Sequence, residues 1–235
     1  MSKSEPFDEN STWSTLPNSI GLLGGTGPEG RGIAARFASV GLSIVIGSRE
    51  KNRAKDAAQS ILSVLPLADV TGTDNEDMIR RCDVIFITVP FVAQQQALRG
   101  LAPLFLDKIV VCTTVPVEFS NNAIELAPVL EGGAALQAQA DLPEARIVGA
   151  FQNIAAADLW NIADPLDADV IIASDSETAK QRTMELCSLL PNLGVVDGGG
   201  LNTTPYLEAL TVLLLRINKN YPGKHATFKL SGIFS

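Results

Sequence analysis

SIGLLGGTGPEGRGIAARF, residues 19–37, is the stretch that decides the fold. Residues 19–23 are mostly apolar and short, which reads as a buried strand. A glycine-rich turn follows at 24–30, and residues 28–40 then read as a helix. Gly25, Gly27 and Gly30 have the spacing GxGxxG. That spacing is common, but between a strand and a helix it is the context of a diphosphate-binding loop. In such a loop one glycine makes the tight turn. The second lets the diphosphate approach the backbone, and the third lets helix and strand pack closely. The free N–H groups and dipole at the helix start hold the anion. Pro28 suits a first helical turn, where its missing N–H costs nothing. Ala34, Ala35 and Ala38 keep the helix thin against the sheet. The candidates from this stretch are Gly25, Thr26, Gly27, Pro28, Glu29 and Gly30; the alternative is a glycine-rich turn with no ligand.

Outward from this unit the chain alternates. Strands are expected at 42–46, 83–88, 109–112 and 146–150, and helices at 51–65, 75–81 and 92–102. Short apolar strands alternating with amphipathic helices imply parallel strands joined by right-handed crossovers. The fold class is α/β, a Rossmann-type doubly wound parallel sheet. Residues 119–144 are punctuated by Ala, Gly and Pro and read as a partly helical connection. Beyond 150, strands at 169–172 and 194–196 and helices at 177–190 and 205–218 form a smaller, mainly helical unit. The division is a flexible tail at 1–17, a dinucleotide-binding domain at 18–150, and a small substrate and oligomerisation domain at 151–235.

The second strand selects the cofactor. NAD-binding chains place an Asp or Glu about 20 residues past the loop, on the ribose 2′-hydroxyl. Here the strand runs into Gly47, Ser48 and Arg49, with Arg53 one turn on. A hydroxyl plus guanidinium suits a 2′-phosphate, which favours NADP(H). Glu50 stands against that reading, and Arg49 as a solvated helix-start residue is the plain alternative. Thr88-Val89-Pro90 and Thr113-Thr114-Val115-Pro116 close two later strands. Ligands of open α/β sheets bind at such carboxyl ends, so Val89, Pro90, Val115 and Pro116 are expected to wall the nicotinamide side. Either proline also reads as a plain strand terminator.

Composition narrows the class. Of 235 residues, 46% are hydrophobic and 19% charged, enough for a packed core, so disorder is excluded as the main state. Eighteen Lys and Arg against 26 Asp and Glu give a net charge of −8, which argues against a broad nucleic-acid or membrane footprint. Cys82, Cys112 and Cys187 are scattered, which fits a reducing compartment, and localisation is read as cytoplasmic. With His225 as the single histidine, no zinc site is expected. No stretch reads as a signal peptide, and residues 207–217 are too short to span a bilayer.

GLLGGTGPEG (21–30), IGSRE (46–50), ITVP (87–90), TTVPV (113–117) and RIVGAFQNIAAADL (146–159) resemble the NADPH:coenzyme F-420 oxidoreductases. The likeness continues through DADVIIASDSE (167–177) and VVDGGGLNTTPYLEALTVLLL (195–215). It implies a Rossmann domain, a small C-terminal domain, a cleft between them, and a homodimer or higher oligomer. It implies NADP(H) as cofactor, with Thr26, Ser48 and Arg49 around its phosphates and Val89 and Pro90 by the nicotinamide. Coenzyme F-420, a deazaflavin, would be the co-substrate, lined by Phe151, Gln152, Asn153, Ile154, Ala155 and Ala156. Many relatives have a histidine in this segment, where this chain has Gln152 and Asn153. Amides bond a ring edge but do not change charge. The Gly198–Gly200 turn offers backbone near a ring, so Gly199 and Leu201 join the substrate-side candidates.

Hydride transfer between stacked rings needs positioning and exclusion of water, and no obligatory acid. A carbonyl or imine reductase needs a proton donor instead. Gln152 and Asn153 are weak catalytic candidates. Asp158, Asp197 and Tyr206 are donors more readily read as structural or as packing. Lys180 reads as lying on a polar helix face, and His225 as a surface residue. The last helix is apolar on most sides and reads as buried, with a subunit contact as one means of burying it. The reading is an NADP(H)-dependent oxidoreductase acting on a deazaflavin. The rivals are an NADPH-dependent reductase of another carbonyl, imine or flavin-like substrate, and a non-catalytic NADP(H)-binding regulator.

Overall fold

The computed structural model describes Pro17 and residues 19–120 and 123–233. The expected tail at 1–17 therefore lies outside the described residues, Pro17 excepted. The chain opens with β1 (Ile20–Leu23), α1 (Pro28–Ser39), β2 (Ile44–Ser48), α2 (Lys51–Leu62), β3 (Val70–Asp74) and α3 (Asn75–Arg81). It continues with β4 (Val84–Ile87), α4 (Phe91–Arg99), β5 (Ile109–Cys112), a hairpin of β6 (Val117–Phe119) and β7 (Ile124–Leu126), α5 (Ala134–Asp141) and β8 (Arg146–Gly149). It closes with α6 (Ala156–Trp160), β9 (Ala168–Ile172), α7 (Glu177–Cys187), β10 (Leu193–Asp197) and α8 (Thr204–Asn220).

Six strands form one parallel sheet in the order β3-β2-β1-β4-β5-β8. The order reverses between β1 and β4, which puts the ligand crevice at the carboxyl ends of those strands. The pleat sends successive side chains to opposite faces. On β1, Leu22 enters a core with Phe37, Ala54, Phe86, Phe151 and Leu159, while Leu23 enters one with Met78, Ile87, Leu98 and Leu201. Phe37, Phe86 and Phe151 form a triangle of rings with centroids 5.4, 5.9 and 6.2 Å apart. Each such pair adds about 0.5–1.5 kcal/mol beyond burial.

Local chemistry explains where the structure departs from the pattern. The second strand begins two residues later than expected. Leu42 is still in the turn leaving α1, where its N–H donates to the Phe37 carbonyl and Gly41 has φ +88°. Edge strand β3 was not expected, because its sequence VTGTD has one large apolar residue and no apolar run. Gly72 lets α2 lie directly on it: a Cβ there would sit 2.3 Å from the Ala54 carbonyl carbon. The 119–144 connection holds α5, as a partly helical reading requires, and also the strands of a hairpin from its start. Short α6 was not expected.

β9 and β10 form a separate parallel pair, joined to the main sheet by an antiparallel bridge from Gly149 to Ala173. Glu208 of α8 reaches back into the main unit. Its Oε1 accepts from the N–H groups of Ala134 and Ala135, at 2.9 and 3.4 Å, and so caps α5. Burial pushes its carboxyl up to about 7, against the pull of those N–H groups. Expected to be buried all round, α8 is not: Leu213 is 51% exposed and Tyr206 77%. Among the described residues, no helix is long and apolar enough to cross a membrane.

Candidate functional site

The glycines of the first turn divide their tasks sterically. A Cβ on Gly25 would meet the Leu22 Cβ at 2.6 Å, and one on Gly30 would meet the Gly25 Cα and Thr88 Oγ1, each at 2.6 Å. These two are glycine because the chain packs on itself. A Cβ on Gly27 would meet only the Gly24 carbonyl oxygen, at 3.8 Å. The space before Gly27 is open, as a loop that cradles an anion requires. Gly24, at φ +81°, makes the reversal beside Val89.

Gly27 is also the N-cap of α1 and has no side chain to bond the first-turn N–H groups. Two other helices contrast with it. Asp74 caps α3 through the Asp77 N–H, and Ser176 caps α7 through the Ala179 N–H. The first turn of α1 thus keeps unsatisfied donors facing the crevice, a site for a phosphate. Thr26 is half-buried and Pro28 exposed in this turn. Glu29 is half-buried, and desolvation pushes its carboxyl up to about 8.

The tip of β2 lies beside this turn. Ser48 is buried, in register with Asp74 of β3, and its Oγ accepts from the Glu50 N–H at 3.2 Å. Arg49 is exposed with no ion pair among the described residues, whereas Arg53 reaches Glu50 at 3.9 Å. Glu50 is therefore engaged with Arg53, which leaves Arg49 as the unpaired one of these two arginines. Asn75, just past β3, holds a buried Oδ1 with no partner, and a Cβ on Gly47 would sit 2.9 Å from it. Sequence reasoning missed Asn75 because it missed β3. The β-branched run of Val70, Thr71 and Thr73 was the signal available.

On the other side of β1, the tips of β4 and β5 are tied together. Thr88 Oγ1 donates to the Leu23 carbonyl, Thr113 Oγ1 to that of Ile87, and Thr114 Oγ1 to that of Val89. Val89 and Val115 are half-buried, Pro90 is exposed as the N-cap of α4, and Pro116 is buried. These residues follow the carboxyl ends of β4 and β5, on the side of β1 away from Ser48 and Arg49.

The segment after β8 turns most of its side chains inward. Phe151 is 1% exposed, and Ile154 belongs to the same core. Gln152 Nε2 donates to the Cys112 carbonyl, and Asn153 Nδ2 donates to the Asp169 carbonyl and Thr227 Oγ1. The half-buried side chains here are Ala155 and Ala156. Gly199, at φ +80°, is exposed, and a Cβ there would meet nothing within 4 Å. Leu201 is buried in the second core.

The proton-donor candidates have partners or face solvent. Asp197 Oδ1 lies 3.0 Å from Lys180 Nζ and accepts from the Gly199 N–H. That N–H and the ammonium hold its carboxyl below the usual range. Lys180 does not lie on a polar face as expected: its side chain is 8% exposed, with Glu177 2.9 Å away as its second partner. Asp158 pairs with His225 at 2.9 Å.

Comparison with known proteins places the chain in a family. The family model described as "NADP oxidoreductase coenzyme F420-dependent" matches residues 19–116. The F420-dependent NADP reductase of Methanothermobacter thermautotrophicus is 32% identical over 91% of this chain and 95% of its own. Its counterpart in Methanothermobacter marburgensis is 32% identical over 91% and 98%. A crystal structure of a candidate F420-dependent NADP reductase from Arthrobacter sp. FB24 superposes with a TM-score of 0.76 at 24% identity, covering 92% of this chain and 99% of its own.

Proposed function

The chain belongs to the coenzyme F-420-dependent NADP oxidoreductases, and on that premise we propose how its crevice divides between the two substrates. The reaction is hydride transfer between NADP(H) and coenzyme F-420, and the two bound rings supply the donor and acceptor. The diphosphate sits on the turn formed by Gly25, Thr26, Gly27, Pro28, Glu29 and Gly30. Ser48 and Arg49 hold the 2′-phosphate, with Arg53 beyond them. Val89, Pro90, Val115 and Pro116 border the nicotinamide. Residues 151–156 flank the deazaflavin, mainly through backbone and through Ala155 and Ala156, with Gly199 on its far side; Leu201, expected there, is held in the second core instead. The observation that carries this division is the open, uncapped turn at Gly27 beside the unpaired Arg49.

The protein's task in this scheme is to orient two rings and exclude water. Each polar donor candidate is bonded elsewhere or exposed, which accords with a ring-to-ring transfer that has no obligatory acid. Mixing the protein with NADPH and F-420 and following deazaflavin absorbance tests the reaction. Single Ala variants of Gln152, Asn153, Asp158 and Asp197, and Tyr206→Phe, are expected to keep kcat within roughly tenfold, below the 10²–10⁴-fold loss of a true general acid. A pH-dependent, thousandfold loss in one well-folded variant would point to a carbonyl or imine reductase instead.

Glu29 gives this site a pH response. With its carboxyl pushed up to about 8, it is mainly neutral at pH 7 and does not oppose the diphosphate. As pH rises through that value, the carboxylate forms beside the anion. NADPH affinity is expected to fall by about fivefold or more, the scale of a like-charge contact of about 1 kcal/mol. Glu29→Gln should remove the fall. A titration series at pH 6 to 9.5 that is equally steep in both proteins would show that Glu29 is not the group responsible.

The division into residues 18–150 and 151–235 follows the end of β8, with the second part supplying the deazaflavin side and the subunit contact. A second copy of the chain covers the groove between β7 and α8, lined by Leu126, Ala209, Val212 and Leu213 between Glu125 and Arg216. Sedimentation at twice the chain mass of 24.9 kDa checks this. The buried free thiols Cys82, Cys112 and Cys187 suit the reducing cytoplasm.

A further inference from the structure

We propose that Arg36 is a positioning residue for the second substrate: from α1 it clamps the chain that follows β8 onto the helix that holds the nucleotide. The inference rests on the assignment of residues 151–156 to the deazaflavin side.

Arg36 is 6% exposed, and among the described residues its side-chain hydrogen bonds go to backbone carbonyls. Its Nε donates to the Leu159 carbonyl at 2.9 Å and its Nη1 to that of Asp164 at 2.8 Å. Its Nη2 donates to the carbonyls of Asp158 and Asn161, each at 2.5 Å. The planar fork of a guanidinium thus collects the carbonyls at the end of α6 and in the loop beyond. α6 has five residues, Ala156–Trp160, too few to persist alone. A cation at its carboxyl end also meets the negative end of its dipole. Burial works against the charge of Arg36, and the nearby carboxylates of Asp158 and Asp164 oppose that loss.

Other residues of α1 hold the same segment. Gly32, one turn before Arg36, brings α6 against bare backbone: a Cβ there would lie 2.6 Å from the Leu159 Cβ and 3.2 Å from the Ala156 carbonyl oxygen. The Arg31 guanidinium stands over the Trp160 ring, 5.7 Å from its centroid. Phe37 packs against Phe151, which is held at φ +70°, a conformation costly for a bulky residue. α1 therefore grips the segment at its start through Phe37, its middle through Gly32 and Arg31, and its end through Arg36. The N-terminus of this helix is the Gly27 turn. One rigid helix thereby sets the distance between the diphosphate and the Ala155–Ala156 surface. Ring-to-ring transfer needs reacting atoms about 3–3.5 Å apart, so slack in this grip falls directly on the reaction.

Arg36→Met, Arg36→Lys and Ala155→Trp test the clamp in the whole protein. NADPH affinity is read by fluorescence titration, and kcat and KM for F-420 by steady-state kinetics. Arg36→Met is expected to lower kcat/KM for F-420 by about ten- to a hundredfold, the cost of misplacement near 1 Å. NADPH affinity should stay within about twofold, as for a distant site. Arg36→Lys, with one charge and fewer donors, should fall between. If the Met variant does not fold, the Lys variant gives the same split at smaller size. Equal losses for NADPH and F-420, or a loss of active fraction with both KM values unchanged, would mark Arg36 as merely structural and overturn the clamp. Ala155→Trp obstructs the deazaflavin side directly. A loss there with normal F-420 kinetics in both Arg36 variants overturns the clamp alone. Unchanged F-420 kinetics in Ala155→Trp overturns the assignment of the segment, and the clamp with it.

Discussion

Gly27→Val is expected to abolish NADPH binding while the protein stays folded. The backbone at Gly27 is extended, with φ −76° and ψ 169°, which a valine adopts without strain. Its Cβ would meet nothing closer than 3.8 Å within the protein. The added side chain therefore costs little in the fold but fills the space the diphosphate must enter. Each charge-assisted hydrogen bond lost there is worth about 1.5–3 kcal/mol, so the affinity should fall at least about a hundredfold. The neighbouring glycines supply the contrast. A Cβ at Gly25 or Gly30 lies 2.6 Å from the chain itself, so valine there should destabilise the fold as well. Fluorescence titration with NADPH, beside thermal unfolding of each variant, separates these effects. Unaltered affinity in a folded Gly27→Val protein would put the diphosphate elsewhere.

Arg49→Ala is expected to weaken NADPH by about 1.5–3 kcal/mol, the scale of a hydrogen bond to a charged group, and to leave NADH nearly unchanged. Arg49 has no competing ion pair among the described residues, whereas Arg53 is engaged with Glu50. Arg53→Ala should accordingly cost less, since exposed ion pairs contribute about 0–1 kcal/mol. Titrating both cofactors against both variants decides the matter. Equal losses for NADPH and NADH in Arg49→Ala would show that this residue does not read the 2′-phosphate.

The sheet was legible where strands are buried on both faces. β1, β4 and β5 are short apolar runs closed by turn residues, and α1 is announced by Pro28 behind a glycine turn. β3 was illegible because VTGTD, with Val70 its single large apolar residue, carries no continuous apolar run. α6 was illegible because five residues make little more than one turn and cannot repeat a pattern, and much of what holds it comes from α1. The candidate site divides in the same way. The glycine turn and the Ser48–Arg49 tip could be named from spacing alone. Which cation there was free could not, because Glu50 is close enough in sequence to neutralise either arginine.

What the sequence determined by itself is the end of the molecule proposed to hold the nucleotide. Its chemistry lies within a few consecutive residues, where spacing, missing side chains and a helix start fix the geometry. The tertiary structure alone decided the roles of side chains whose partners are remote. Gln152 and Asn153 stood where many relatives place histidine and read as substrate contacts. Their amide nitrogens are engaged with Cys112, 40 residues away, and with Asp169 and Thr227. Lys180 read as a surface cation and is buried between Glu177 and Asp197. Arg36 drew no reading from the sequence, and its acceptors lie 122–128 residues further along the chain. A hydrogen bond across such a separation leaves no periodic trace, because the chain between its partners is free to vary. Only the packing of α6 against α1 brings that donor to those carbonyls.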